Sequence, residues 1–291
     1  MGECAAIIAG MPPDAIAAAE RTIQIEGHTV HYWEAGEGEP VIFLHGLGNS
    51  AFNWRKNVSV VGERHRAITM DLPGHGRSDL VWFPYRLEDA SRFVVAFMDA
   101  LQLERVHLVG NSLGGAIALE TALAQPGRVR TLTLVGSVGL GKEIAGFLRL
   151  GSLPLLGEYG HRPNESSVRK LLRTLVHNPS AIEEAAVHEM LAFRRRPGAV
   201  GGILRMLRAG VTIQGQKKSV RRDIRIAELK MPLFVAWGRQ DPVAPVAHGE
   251  RAAKLAQAAR LKIFEECGHW PHLEQAEAFN GALLDFLSTA R

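Results

Sequence analysis

The stretch RVHLVGNSLGGAIALETALAQ, residues 105–125, runs two patterns together without a break. Its first part, through Val109, is a short, mainly apolar run of the kind that forms a strand buried on both faces. From Leu113 onward the composition and periodicity are those of a helix. Between them stands Gly110-Asn111-Ser112-Leu113-Gly114, a G-x-S-x-G sequence in a strand-turn-helix context. Glycines on either side permit a sharp turn that lifts Ser112 out of a sheet, and the helix start sets backbone N–H groups beside it. A serine hydroxyl is a weak nucleophile until a base takes its proton. Alone, the pattern fits a glycine-rich turn with a bystander serine equally well, so the surrounding chain decides.

Working outward, runs of the same kind recur: VIFLHG from Val41, RAITMDLPG at 66–74, TLTLVGS at 131–137, PLFVAWG at 232–238 and RLKIFEECG at 260–268. Helical patterns lie between them, among them DASRFVVAFMDALQL (89–103) and VAHGERAAKLAQAA from Val246, with AEAFNGALLDFLSTA from Ala276 as a closing helix. TIQIEGHTVHYWEAG from Thr22 alternates and predicts two antiparallel strands turning at Glu26-Gly27. Strand and helix in this alternation predict an α/β fold, a doubly wound and mostly parallel sheet. From Gly139 to about Arg222 the strand signal vanishes and amphipathic helices take over, which predicts a helical lid inserted between two strands. The predicted organisation is an N-terminal segment (1–20), a first core part (21–138), the lid (139–222) and a second core part (223–291).

Three further segments fall where ligand sites form in open α/β sheets, beyond the carboxyl ends of strands. His45-Gly46-Leu47-Gly48 follows VIFL and can aim the Leu47 N–H at the same point as the Leu113 N–H. Such a pair forms an oxyanion hole, each donor supplying about 2.7–4 kcal/mol in the transition state. His45 itself reads as a structural histidine. Asp241, in Trp237-Gly238-Arg239-Gln240-Asp241-Pro242, can hold a histidine Nδ1 proton, although an Asp-Pro turn is the plainer role. Cys267-Gly268-His269-Trp270 supplies the base, with His272 as its nearest competitor among 12 histidines. Ser112, Asp241 and His269 occur in the order nucleophile, acid, histidine.

With these four segments in place, the chain resembles the α/β-hydrolase family from about Arg21 to Arg291, including Asp71-Leu72-Pro73-Gly74-His75-Gly76-Arg77-Ser78 after the fourth strand. The resemblance implies that fold, a lid at 139–222 and a Ser112-His269-Asp241 triad. Ser112 argues against the dehalogenase and epoxide-hydrolase branches, which carry aspartate there. Two branches compete. The loop HGLGNSAFNW resembles that of simple esterases. The segments GNSLGG and CGHW, with Glu274 and Ala278-Phe279-Asn280, resemble the meta-cleavage-product C–C hydrolases. In that second group a tryptophan, here Trp270, follows the catalytic histidine, and a lid arginine, here Arg194, holds the substrate carboxylate.

The reading taken from the sequence is hydrolysis of small to medium apolar carboxylic esters through an acyl-enzyme. C–C hydrolysis or enol-lactone opening is the alternative, and a non-catalytic small-ligand receptor is the alternative of another class. Acyl transfer by such a triad needs no metal or organic cofactor. The apolar start of the lid, with Phe147, Leu148, Leu150, Leu153, Leu155 and Leu156, predicts a hydrophobic pocket or packing of lid on core.

Composition agrees with an enzyme-sized globular chain of 291 residues, 46% hydrophobic and 22% charged. A net charge of +4, from 34 basic and 30 acidic residues, does not suggest nucleic acid as a partner. Its visible clusters, Arg194-Arg195-Arg196 and Lys217-Lys218 with Arg221-Arg222, read as solvated faces. Two distant cysteines, Cys4 and Cys267, predict no disulfide framework. The start lacks the positive region of a secretory signal, Ala6 stands where an acylation site needs Ser or Thr, and no apolar run reaches the roughly 18 residues of a membrane span. The predicted location is cytoplasmic, the partner a small-molecule ester, and the protein a monomer or homodimer.

Overall fold

A computed structural model describes residues 18–80 and 85–289. The segment expected to be weakly ordered or helical at the N-terminus lies, as far as residue 17, outside the described residues. Strand β1 (Ala19–Ile25) starts two residues before the expected boundary and pairs antiparallel with β2 (His28–Ala35). Their turn is where the alternation placed it, with Glu26 at φ 51° and Gly27 at φ 80°, the left-handed conformations of a two-residue hairpin.

The remaining strands of the main sheet are β3 (Pro40–Leu44), β4 (Arg66–Met70), β5 (Val106–Asn111) and β6 (Val129–Val135), followed by two that lie far along the chain. A helical block intervenes: α4 (Gly146–Gly151), α5 (Leu156–Gly160), α6 (Glu165–Leu175), α7 (Glu184–Arg195) and α8 (Ala199–Gly210), which come after α1 (Val58–Gly62), α2 (Leu87–Ala100) and α3 (Leu113–Ala124). A small hairpin, β7 (Val211–Thr212) and β8 (Gly215–Gln216), ends the block, where no strand was expected. Then β9 (Leu233–Gly238), α9 (Val246–Leu255), β10 (Ala259–Phe264), α10 (Pro271–Glu274) and α11 (Ala276–Ser288) complete the order. The eight-stranded sheet reads β1-β2-β4-β3-β5-β6-β9-β10, with β2 antiparallel to both neighbours and the strands from β4 to β10 parallel.

The continuous apolar runs have a simple cause. Alternate residues of a strand face opposite sides, and here both sides are covered. Ile42, Leu44, Leu108, Leu132 and Leu134 pack with Phe97 and Leu119 of α2 and α3. Val41, Phe43, Val109, Val135 and Phe234 pack on the other face with Trp54, Phe279 and Phe286. The sheet is doubly wound, as predicted.

The basic clusters are not all solvated. Arg222, buried, pairs with Glu88 of α2 and Glu120 of α3 and so pins the exit of the helical block to the core. Of the apolar residues at the start of the block, Leu150, Leu155 and Leu156 stand exposed. No helix among the described residues is long and apolar enough to cross a membrane.

Candidate active site

The parallel strands β3, β5, β6, β9 and β10 all end at one edge of the sheet, and that edge carries the residues singled out in the sequence. Ser112 follows β5 at φ 56°, ψ −115°, a sparsely populated conformation for a residue with a side chain. The turn is tied on three sides: the Ser112 N–H donates to Val135, and the Ser112 carbonyl accepts from Ala116 and Val138. Its glycines are needed for close approach. A Cβ on Gly114 would lie 2.2 Å from the Leu44 carbonyl oxygen, and one on Gly110 2.3 Å from the Gly114 oxygen. Gly114→Ala is therefore expected to lower stability by more than about 3 kcal/mol, read as a fall in Tm or loss of soluble protein; an unchanged Tm would contradict this packing.

His269 sits in the loop after β10, buried, with Nδ1 2.9 Å from Asp241 Oδ2. Asp241 is placed by the turn after β9. Its other oxygen, Oδ1, accepts from the N–H groups of Val243 and Ala244, at 2.7 and 3.1 Å, which fixes the carboxylate's rotation. With Nδ1 engaged, the neutral ring offers Nε2 as proton acceptor. Ser112 and His269 line one cavity, together with Leu47 and Leu113. Leu113 opens α3, where backbone N–H groups lack helical partners. His45 is structural in its bonding: Nδ1 lies 2.8 Å from the Gly46 oxygen and Nε2 accepts from Leu72 N–H. His272 is enclosed against Trp54 and bonded to Asn53, away from the cavity lining.

Trp270 is buried among Val168, Leu172, Val187 and Met190 of α6 and α7 and also lines the cavity. Next to it the His269 N–H donates to Leu175 of α6, and Glu274 accepts from the N–H groups of Gly268, His177 and Asn178. The histidine loop and the helical block are thus stitched together through the main chain.

Arg194, on α7, enters the same cavity. It is only 3% exposed, makes no hydrogen bond or ion pair among the described residues, and its Nε is an orphaned donor. Burial lowers its pKa to about 10, so the guanidinium stays charged at neutral pH. The neighbouring arginines differ: Arg195 is exposed and Arg196 donates to the Gly76 and Ser78 carbonyls. Sequence reading also passed over His161, which lines the cavity with Nδ1 3.0 Å from the Gly157 oxygen and is held below the ordinary histidine pKa by burial and by the Arg194 charge. Asn111 was read only as the variable position of the serine motif. Its Nδ2 donates to the Val135 and His269 carbonyls, and its Oδ1 is buried at the cavity wall without a partner among the described residues. Phe147 and Leu148 are the residues of the apolar α4 region that reach the cavity.

Known proteins share this fold. The family described as alpha/beta hydrolase fold matches residues 39–276. The 2-hydroxy-6-oxo-6-phenylhexa-2,4-dienoate hydrolase of Comamonas testosteroni is 35% identical over 268 residues, covering 89% of this chain and 91% of its own. A 2-hydroxy-6-oxononadienedioate/2-hydroxy-6-oxononatrienedioate hydrolase of the same organism is 34% identical over the same shares of both chains. Among solved structures, the meta-cleavage product hydrolase from Pseudomonas fluorescens IP01 superposes with a TM-score of 0.80 at 27% identity, covering 95% of this chain and 99% of that one.

Proposed function

The chain belongs to the α/β-hydrolase fold family and is a hydrolase, and from that premise we propose that it cleaves a carbon–carbon bond in a 2-hydroxy-6-oxohexa-2,4-dienoate, a vinylogous 1,5-diketone. The ester reading taken from the HGLG loop gives way to its alternative, because the relatives named above act on such dienoates. The observation that carries the choice is Arg194: a buried guanidinium without a counter-charge among the described residues, in the cavity that holds Ser112. An apolar ester has nothing to offer it, whereas a dienoate brings a carboxylate.

In this reading Arg194 binds the C1 carboxylate and the C2 oxygen. Moving the 2-hydroxyl proton to C5 gives the 2,6-dioxo tautomer, from which C5 can depart, since its electron pair delocalises through C4 and C3 to the C2 oxygen. Ser112 Oγ, losing its proton to His269 Nε2, attacks C6. The N–H groups of Leu47 and Leu113 hold the resulting oxyanion, and Asp241 stabilises the imidazolium. Collapse breaks C5–C6 and leaves the acyl group on Ser112. The other fragment takes the imidazolium proton on its C2 oxygen and leaves as 2-hydroxypenta-2,4-dienoate. Water, deprotonated by His269, then releases the carboxylic acid. The helical block, carrying Arg194 and packing Trp270 against the histidine loop, is the lid.

The rest of the cavity favours an apolar 6-substituent. Ile144, Phe147, Leu148, Leu171, Leu207 and Val243 line it, and Arg194 is the one permanent charge among its described lining residues. A second carboxylate would be desolvated unpaired, at a cost of about 3 kcal/mol or more, or about 10²-fold. The kcat/KM for the 6-phenyl dienoate should exceed that for the nonadienedioate by at least about 10²-fold, followed as loss of dienol absorbance; equal values would refute the apolar assignment. Side-by-side kinetics with p-nitrophenyl esters and an enol-lactone test the reaction itself. The dienoate should be the best substrate, and cleavage of the ester alone would restore the ester reading.

A further inference from the structure

At the opposite edge of the sheet, about 16 Å from Ser112 along β5 at about 3.3 Å per residue, three potential metal-ligating side chains converge. Glu39 immediately precedes β3, His65 immediately precedes β4, and His107 is the second residue of β5. β3 lies between β4 and β5, and the register pairs Pro40 with Arg66 and Val41 with His107. The three residues therefore meet across adjacent strands, and one donor atom of each lies within 4.8 Å of the others. Both imidazoles are buried, while the Glu39 side chain is 42% exposed and gives access from solvent.

We propose that Glu39 Oε2, His107 Nε2 and a ring nitrogen of His65 form a site for a divalent transition-metal ion of the zinc class, with water as fourth ligand. The separation of His107 Nε2 from Glu39 Oε2 is 3.4 Å. That is long for a hydrogen bond to a carboxylate, yet it matches a tetrahedron's edge, because metal–ligand bonds of about 2.0–2.1 Å set two ligands about 3.3 Å apart. The other separations, all within 4.8 Å, need to close by no more than about 1.5 Å, within reach of a side-chain rotation.

The surrounding contacts orient the ligands, as they do in built metal sites. His107 Nδ1 lies 2.8 Å from Thr131 Oγ1 on β6; with Nδ1–H donating there, Nε2 keeps its lone pair for an ion. Glu39 Oε1 faces Arg130 Nη2 at 3.6 Å, which leaves Oε2 on the histidine side. Two imidazoles and one carboxylate select zinc, copper(II) or nickel(II) over magnesium or calcium. Bound there, the ion would clip three central strands together and raise stability by mass action without touching the chemistry at the other edge.

The full chain, stripped with EDTA, should bind one equivalent of Zn2+ by calorimetry and rise in Tm, while Mg2+ and Ca2+ leave it unchanged. Glu39→Gln and His65→Gln should each weaken Zn2+ binding by at least about 10²-fold, with turnover in metal-free buffer unchanged. Co2+ in place of zinc should give the visible absorption of a tetrahedral site, lost in Glu39→Gln. Absence of one-equivalent binding, or binding undiminished in Glu39→Gln, whose exposed position leaves the core intact, would overturn the proposal. In the latter case the ion would be held elsewhere, by the triad histidine for example.

Discussion

Replacing Ser112 by alanine is expected to lower kcat for the 6-phenyl dienoate by at least about 10⁴-fold while shifting Tm by no more than about 2 °C. The kinetic size follows from the way a triad works. Once the nucleophile is gone, His269 and Asp241 have no hydroxyl to activate, and only binding and the oxyanion donors remain; in other serine hydrolases such losses reach about 10⁶. The small stability change follows from where Ser112 sits. Its side chain is partly exposed to the cavity, and the unusual φ of 56° belongs to the backbone, so alanine inherits the same strain. Because Arg194 and the apolar wall are untouched, substrate affinity should remain within a few-fold of wild type. Steady-state kinetics, Tm and fluorophosphonate labelling read these separately. Turnover near wild type in a folded Ser112→Ala protein would remove Ser112 from the mechanism, whatever bond is cleaved.

Much of this fold was legible because the central strands are covered on both faces. Val41 to Leu44 is apolar at every position, since odd and even residues meet different helices, and such a run is visible without any alignment. The β7–β8 hairpin was not legible: each strand has two residues, too few to show a period. The segments carrying the candidate residues Ser112, Asp241 and His269 stood out for the same reason as the strands they terminate. Arg194 is the instructive intermediate case. Three arginines in a row suggest solvent, yet Val187, Met190, Leu191 and Arg194 share one helical face at spacings of three and four, and that face is buried. The periodicity pointed inward for Arg194 and outward for Arg195; composition alone treated them as equals. Arg222 was obscured similarly, since its partners Glu88 and Glu120 are distant in sequence. What no local pattern could supply is the meeting of Glu39, His65 and His107, which depends on strand order.

Arg194→Met should separate stability from function with opposite signs. In the unliganded protein the guanidinium is desolvated with no counter-charge among the described residues, and burial is the cause of its lowered pKa. At neutral pH it is charged in both folded and unfolded states, so the cost of burying it falls on the folded state alone. A methionine of similar length fills the space without that cost, and replacing buried charged groups by apolar side chains of similar volume can stabilise a fold by about 1–4 kcal/mol. For a chain of this size that corresponds to a rise in Tm of several degrees, at about 2–4 °C per kcal/mol. Function should move the other way. Losing a buried, charge-assisted contact to the substrate carboxylate, and the charge that stabilises the electron pair arriving on the C2 oxygen, should cut kcat/KM for the dienoate by about 10²–10³-fold. Hydrolysis of p-nitrophenyl esters, which have no carboxylate, should stay within a few-fold of wild type. A dienoate product or analogue should also raise the Tm of the wild-type protein and do so far less in Arg194→Met, because the ligand supplies the missing counter-charge only where the guanidinium remains. If Arg194→Met were less stable than wild type and hydrolysed both substrates equally well, Arg194 would be a packing residue, and the strongest support for carbon–carbon cleavage over ester hydrolysis would be lost.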